Sequence, residues 1–184
     1  MMKTYKATLV GCTMALLAVA GASGQGTILF QNYGVNSQGQ NWSAPVYESD
    51  LKTPLGSGYE VSLYIGETAS FLSLAPGTAT SISGSGLFSG PTITVPAPLM
   101  AGDAVFLQVA VWQSAYGASY AQALAAGGPT GISSSFVVVF GSASSPGSTF
   151  GMPSFGLEGI PEPNSLVLMV GGLIALGWLR SKRE

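Results

Sequence analysis

The sequence predicts a mostly β protein whose body is a β-sandwich, with an N-terminal signal helix and a C-terminal transmembrane helix. Three observations support this fold class. Short runs rich in β-branched and aromatic residues alternate between apolar and polar positions, stretches containing Gly and Pro separate these runs, and an apolar run flanked by basic residues lies at each end of the chain. Many short strands with few helices favour a sandwich, and an immunoglobulin-like arrangement is the finer expectation.

Five strands are predicted in chain order, at residues 27–31, 59–65, 92–95, 104–113 and 136–140. The fourth shows the clearest alternation. Val105, Leu107, Val109 and Val111 should share one face, and Phe106, Gln108 and Trp112 should lie on the other. In the second strand, Val61, Leu63 and Ile65 should face the same way. The continuous apolar run at 136–140 indicates a fully buried strand.

One short helix is predicted between the last two strands. Ser119 can cap its N-terminus, with Gln122 reaching back as in a capping box. Gly127 can end the helix before Pro129. The domain division that follows is a signal peptide at 1–24, a β-sandwich body at 25–141, a Gly/Ser/Pro-rich linker at 142–160 and a C-terminal signal at 161–184.

Composition excludes several classes of function. Charged residues make up only 8% of the chain, and between residues 25 and 160 the only basic residue is Lys52. Such a body cannot neutralise phosphates, so we expect no nucleic-acid binding. There is no His, and the single cysteine, Cys12, lies within the predicted signal peptide. Ser–His and Cys–His catalysis and His- or Cys-ligated metal sites are therefore not expected, and no cofactor or metal is predicted.

The N-terminus has the order of a secretory signal peptide. Lys3 and Lys6 precede an uncharged apolar run at 7–20, which small residues follow. Cleavage is expected after Ala20, Ala22 or Gly24, with the last two favoured. Two alternatives stay open: residues 9–12 (Leu-Val-Gly-Cys) are similar to a lipobox that would lipidate Cys12, and an apolar run of this length also suits a buried helix.

The C-terminus combines three elements in a fixed order. Pro161, Glu162 and Pro163 precede an apolar run, predicted as a transmembrane helix at 165–179, and the basic residues Arg180, Lys182 and Arg183 follow it. At about 1.5 Å per residue the run is short for a hydrocarbon core of about 30 Å. Trp178 at its edge and the basic tail nevertheless fit a membrane helix. Basic residues at both ends would keep both termini in the cytoplasm, so the body should be exported.

These C-terminal elements together resemble the PEP-CTERM sorting signal of Gram-negative bacteria. The resemblance implies recognition by an exosortase, a membrane-embedded cysteine transpeptidase or protease, with cleavage near Pro161-Glu162-Pro163. It also implies association with exopolysaccharide and biofilm matrix, and a transient anchor in the inner membrane before release to the cell surface. The body is similar, more loosely, to secreted PEP-CTERM proteins of unassigned function, through residues 26–32, 44–47, 108–112 and 117–120.

Candidate ligand contacts in the body are few. Glu48 and Asp50 would point to one side of an extended segment and could bind a sugar or calcium, although polar loops often carry such acids without a ligand. Trp42 lies in a polar stretch and is the preferred surface residue for stacking on a sugar ring. Other aromatic candidates for stacking are Tyr33, Trp112, Tyr116 and Tyr120. The expected function is a noncatalytic surface or extracellular-matrix protein, and the alternative is a secreted carbohydrate-binding module associated with exopolysaccharide.

Overall fold

A computed structural model describes residues 24–36, 38–95 and 98–158. Within these ranges the protein is mostly β, as predicted. The strands are β1 (Thr27–Gln31), β2 (Tyr33–Val35), β3 (Asn41–Ser43), β4 (Val46–Tyr47), β5 (Tyr59–Thr68), β6 (Phe71–Leu74), β7 (Thr80–Ser81), β8 (Ser89–Thr94), β9 (Ala104–Gln113), β10 (Thr130–Ile132), β11 (Phe136–Val139), β12 (Gly147–Ser148) and β13 (Phe155–Gly156). A 3₁₀ turn at Ser114–Tyr116 precedes helix α1 (Tyr120–Ala125).

Nine of the strands form a larger and a smaller sheet that share one hydrophobic core, and the others form two two-stranded sheets, β2–β3 and β4–β13. The larger sheet has the order β10–β9–β5–β6, with β11 also paired to β9 and β7 to β5, and the smaller sheet has the order β12–β1–β8. Ile28 and Phe30 of β1 and Ile93 of β8 belong to the same buried cluster as Val61 of β5 and Val109 of β9. Two sheets packed on a common core are consistent with the expected β-sandwich.

Strands β5 and β9 form the centre of the larger sheet, in antiparallel register from Tyr59↔Gln113 to Gly66↔Phe106. Alternation along both strands agrees with the prediction. The core-facing residues are fully or almost fully buried, namely Val61, Leu63, Ile65, Val105, Leu107, Val109 and Val111. On the opposite face, Trp112 is also buried, and its Nε1 donates a hydrogen bond of 3.0 Å to Gly117 O.

Helix α1 covers that opposite face beside Trp112, and its predicted N-cap, Ser119, is confirmed. Ser119 Oγ accepts a hydrogen bond from Gln122 N at 3.3 Å. The Gln122 side chain reaches back as expected, but its Oε1 accepts a bond of 2.9 Å from Ala118 N, one residue before the cap, and not from Ser119 N as in a capping box. The helix ends at Ala125, and Gly127 follows with φ of 69°. This left-handed conformation suits glycine and turns the chain toward β10.

The prediction of a fully buried strand at 136–140 is wrong. Phe136, Val138 and Phe140 are buried, whereas 53% of Val137 and 57% of Val139 is exposed. The reason is that β11 pairs with the beginning of β9, whereas the six-residue helix α1 packs on the end of β9 around Trp112. One face of β11 therefore packs on the core and the other remains open.

Residues 142–158 are not the linker that their Gly/Ser/Pro content suggested. Strand β12 pairs in parallel with β1, and β13 pairs in parallel with β4. Met152, Phe155 and Leu157 belong to the hydrophobic core. The small residues here do not make the segment flexible but allow backbone segments to pack closely. A Cβ on Gly141, for example, would lie 2.0 Å from Ser145 O. The folded body therefore extends to at least Glu158.

Residues 1–23 of the predicted signal peptide and residues 159–184, which include the predicted transmembrane helix at 165–179, lie outside the described residues. Among the residues that are described, no helix is long and apolar enough to cross a membrane.

Candidate functional site

Trp42, the preferred surface aromatic, lies at the centre of β3 and is only partly exposed. It packs against the hydrophobic core, and its ring makes an edge-to-face contact with Phe150, with centroids 5.7 Å apart at 81°. Its indole Nε1 is buried and has no hydrogen-bond partner in the part of the chain that the structure describes. One edge of the ring is thus engaged in packing and is not free to bind a ligand.

The surroundings of Trp42 explain this position. Its partner across the β2–β3 pair is Gly34, where a Cβ would lie 2.8 Å from Gln31 Nε2 and 3.4 Å from the indole Nε1. A larger residue at position 34 would require the flexible Gln31 carboxamide to shift, whereas the indole nitrogen would be in ordinary contact. The Thr149 hydroxyl donates to Gln31 O, which ties the turn that carries Phe150 to the end of β1.

Glu48 and Asp50 lie in one turn, in which Leu51 N donates a hydrogen bond of 3.0 Å to Glu48 O, and not on the extended segment that was expected. Asp50 Oδ1 accepts hydrogen bonds of 2.8 Å from the backbone N–H groups of Lys52 and Thr53, and Oδ2 accepts one of 2.7 Å from Thr53 Oγ1. These bonds, those from Thr53 N and Lys52 N first, lower the pKa of Asp50 below its ordinary value. The carboxylate thus closes its own loop. Across the described ranges, no three metal-ligating side chains come together.

Two tyrosines lie near carboxylates at one end of the sandwich, where β5 begins and β9 ends. Burial raises the pKa of Tyr59, and the charge of Glu48 raises it further. Burial likewise raises the pKa of Tyr120, and electrostatic repulsion from Glu158 and then from Tyr64 raises it further. Both phenols therefore stay neutral at physiological pH. As neutral phenols they can donate and accept hydrogen bonds.

A pocket of about 200 Å³ lies between α1 and the outer face of the larger sheet. Tyr64 and Tyr120 contribute aromatic walls, Trp112 contributes to its lining, and Ser62 and Ser119 add hydroxyl groups. No charged side chain is among its described lining residues. Trp112 and Tyr120 were named from the sequence as stacking candidates. Tyr64 was not, although its place on the outward-facing side of the alternating second strand could have indicated it.

A larger groove of about 380 Å³ runs between the edge strands β6 and β8. Its lining is mainly apolar and includes Phe71, of which 83% is exposed, together with Leu74 and Ile93. Glu67 is the one carboxylate in its described lining. A glycosidase needs two carboxyl groups about 5–9.5 Å apart, so this groove lacks the pair that such chemistry requires.

The predicted sorting residues, Pro161, Glu162 and Pro163, and the basic tail of Arg180, Lys182 and Arg183 lie outside the described residues. Their roles stay predictions. No family model matches the chain, and comparisons with the curated proteins and with the solved structures found no match. What the chain does must therefore be inferred from its own residues.

Proposed function

We propose that this chain is an exported, noncatalytic surface or extracellular-matrix protein that is sorted through a C-terminal PEP-CTERM signal. The observation that carries the proposal is the ordered set of elements at the C-terminus. Pro161-Glu162-Pro163, an apolar run and a basic tail follow one another within the last 24 residues, 161–184. Each element is common alone, but their order at the end of a chain that also begins like a secretory precursor is specific.

The properties of the folded body are compatible with export. Its residues between 25 and 158 contain no cysteine, so folding outside the cytoplasm requires no disulfide. The core is built from aliphatic and aromatic side chains of both sheets and continues through residues 142–158. We propose that this body is a β-sandwich. The finer, immunoglobulin-like arrangement receives less support, because β12 and β13 pair in parallel whereas the sheets of that fold are antiparallel.

The proposed partner is an exosortase-type membrane enzyme that cleaves near Pro161-Glu162-Pro163. The two prolines disfavour helix and keep the backbone extended just outside the apolar run, where a membrane peptidase could bind it. Arg180, Lys182 and Arg183 would stop translocation at the inner face of the membrane, where each cation contributes about 1 kcal/mol. The anchor is thus transient, and the released body reaches the cell surface or an exopolysaccharide matrix.

Intact-mass measurement of the mature protein tests this proposal. In a host with an exosortase, the mature mass should lack Trp178 and the basic tail, and in an otherwise identical host without the enzyme it should retain them. Glu162→Gln should impair processing without impairing export, whereas Glu158→Gln, a carboxylate outside the motif, should be processed normally. Mature molecules that keep the tail in the exosortase host would show that the segment is a plain anchor.

The pocket beside α1 supports a second function, binding of a neutral sugar. The partly exposed rings of Tyr64 and Tyr120 and the hydroxyl of Ser119 are groups that stack on and hydrogen-bond to an uncharged sugar ring, and the buried Trp112 and Ser62 form the floor of the pocket. A glycan array with the exported protein tests this function. Binding that is lost in Tyr120→Ala but retained in Tyr33→Ala, a tyrosine outside the pocket, would support it. Absence of binding to any glycan would leave the noncatalytic matrix role alone.

A further inference from the structure

The folded part of the chain ends at one defined end of the sandwich. Leu157 N donates a hydrogen bond of 3.0 Å to Tyr47 O, and Glu158 N donates one of 2.7 Å to Thr130 O. Thr130 is paired with Trp112 near the end of β9. The chain is therefore held by the body as far as Glu158. We call this end, marked by Tyr47, Thr130 and Glu158, the exit end.

Very little chain separates the exit end from the apolar run. Only residues 159–164 lie between Glu158 and the start of the predicted membrane helix at residue 165. Six extended residues span at most about 22 Å, and a polyproline-like conformation, favoured by Pro161 and Pro163, gives about 19 Å. Strand β9 alone, with ten residues, is about 30 Å long. Residues 159–164, which we call the tether, thus span a shorter distance than the length of the body.

The exit end carries side chains that suit a lipid surface. Three residues there expose apolar or aromatic surface, namely Leu51 at 63%, Tyr116 at 44% and Leu124 at 52%. Tyr47, Tyr59 and Tyr120 lie at the same end and are partly buried. Tyrosine is enriched where membranes meet water, because its ring is apolar and its hydroxyl is polar. The loops of the opposite end, 67–71 and 99–103, contain no tyrosine, although they expose Phe71 at 83% and Met100 at 40%. The short connection to the apolar run, and not the amount of exposed apolar surface, therefore selects the exit end.

The charges of the exit end favour a neutral lipid surface over an anionic one. Glu48, Asp50, Glu60 and Glu158 lie there with a single base, Lys52. The N-terminus of the described chain is at the opposite end, where Ala101 N donates to Gly24 O and Gln25 pairs with Met100. Cleavage of the signal peptide would therefore free the end of the body that lies farther from the C-terminal anchor.

We propose that the anchored protein rests with its exit end on a phospholipid bilayer with neutral headgroups, held there by the tether 159–164. Leu51, Tyr116 and Leu124 contact the headgroup region, and the opposite end lies about 30 Å farther out. This inference rests on the proposed sorting function, since it requires residues 165–179 to be an anchor. Beyond that function, it identifies the surface of the body that faces the membrane before the protein is released.

Single cysteines can report this orientation, because signal cleavage removes Cys12 and leaves no other thiol. The signal-cleaved, still anchored protein is purified from a Gram-negative host without exosortase and placed in phosphatidylcholine vesicles. Leu51→Cys and Leu124→Cys report on the exit end, and Phe71→Cys, which replaces another exposed side chain, reports on the opposite end. Each variant carries a maleimide dye, and the lipid headgroups carry a nitroxide quencher.

The expected result is quenching of the dyes at positions 51 and 124 and no quenching at position 71. Insertion of a Gly/Ser spacer of about 20 residues after Glu158, with an r.m.s. span of about 25 Å, should abolish the difference. Equal quenching at positions 51 and 71, or quenching that survives the spacer, would overturn the inference while the sorting function stands. Protein that fails to float with the vesicles would overturn both, because the anchor itself would be missing.

Discussion

The carboxamide oxygen of Asn32 accepts a hydrogen bond of 2.7 Å from the backbone N–H of Phe88. The amide nitrogen of the same side chain donates bonds of 2.9 Å to Ala44 O and to Gly86 O. Asn32 is completely buried, so each of these groups would lose its partner without access to water. One side chain thus joins the end of β1 to two segments that are distant in sequence.

Asn32→Ala should therefore be strongly destabilising. We expect a loss of about 3 kcal/mol in the free energy of unfolding, because each buried polar group left without a partner costs about 1–3 kcal/mol. Asn36→Ala is the matched control. Its carboxamide also bonds backbone N–H groups, those of Gln38 and Gln40, but at an exposed turn, and it should cost about 0.5 kcal/mol. Urea unfolding of both variants gives the comparison, and similar losses would contradict the role assigned to Asn32.

The strands were predictable where one face is buried and the other is not. In β9 the alternation is set by the pleat, so Val105 to Val111 could be assigned to the core from spacing alone. The helix was predictable because Ser119 and Gly127 mark its ends by local chemistry. The exposed face of β11 was not predictable, because tertiary packing decides whether α1 extends over Val137.

Contacts between segments distant in sequence account for the other differences. Residues 142–158 have the composition of a linker, and their core contacts through Phe155 depend on pairing with β4, more than 100 positions earlier. Sequence reasoning also gave no role to Asn32, whose partners lie 12 to 56 positions away. Only part of the pocket beside α1 was predictable from the sequence. Tyr120 is a stacking candidate by its residue type, but its neighbour in the pocket, Tyr64, belongs to strand β5, and the sequence does not show that the two lie together.

Trp42→Phe should leave the free energy of unfolding unchanged or raise it by up to about 1 kcal/mol. The substitution removes the buried indole N–H, which has no partner among the described residues, and keeps an aromatic ring against Phe150. Trp42→Ala is the control and should cost about 2 kcal/mol, less than the roughly 3–5 kcal/mol of a fully buried aromatic. Denaturant unfolding distinguishes the two variants. A large loss in Trp42→Phe would mean that the indole nitrogen is hydrogen-bonded.

Asp50 should make the stability depend on pH in the acid range. Hydrogen bonds from Thr53 and Lys52 lower its pKa in the folded state, so the unfolded state binds the proton more readily. The contribution is fully present above the unfolded pKa, about 3.9, and is lost as the pH falls through the lower folded value. Asp50→Asn should therefore be less stable than the wild type at about pH 7, and the difference should shrink near about pH 2.5.

Urea titrations across this range provide the measurement for Asp50. Glu67→Gln is the control, since Glu67 is an exposed carboxylate with no side-chain hydrogen bond in the described chain. It should show no comparable change in its difference from the wild type. A stability difference for Asp50→Asn that is the same at both ends of the range would show that the carboxylate's charge does not contribute to closing the loop.

Phe155 and Phe150 provide a matched pair for the part of the body that composition had assigned to a linker. Phe155 is 9% exposed within the core and Phe150 is 50% exposed, so the same change to alanine removes a buried ring in one case and a half-exposed ring in the other. Phe155→Ala should cost about 3–4 kcal/mol, as for a buried aromatic, and Phe150→Ala about 1 kcal/mol from its contact with Trp42. Equilibrium unfolding measures both.

If residues 142–158 were instead a free linker, both substitutions would leave the free energy of unfolding unchanged, and a protein ending at Gly141 would be as stable as one ending at Glu158. We expect the shorter protein to be unfolded, because it lacks β12, β13 and the core side chains that follow Gly141.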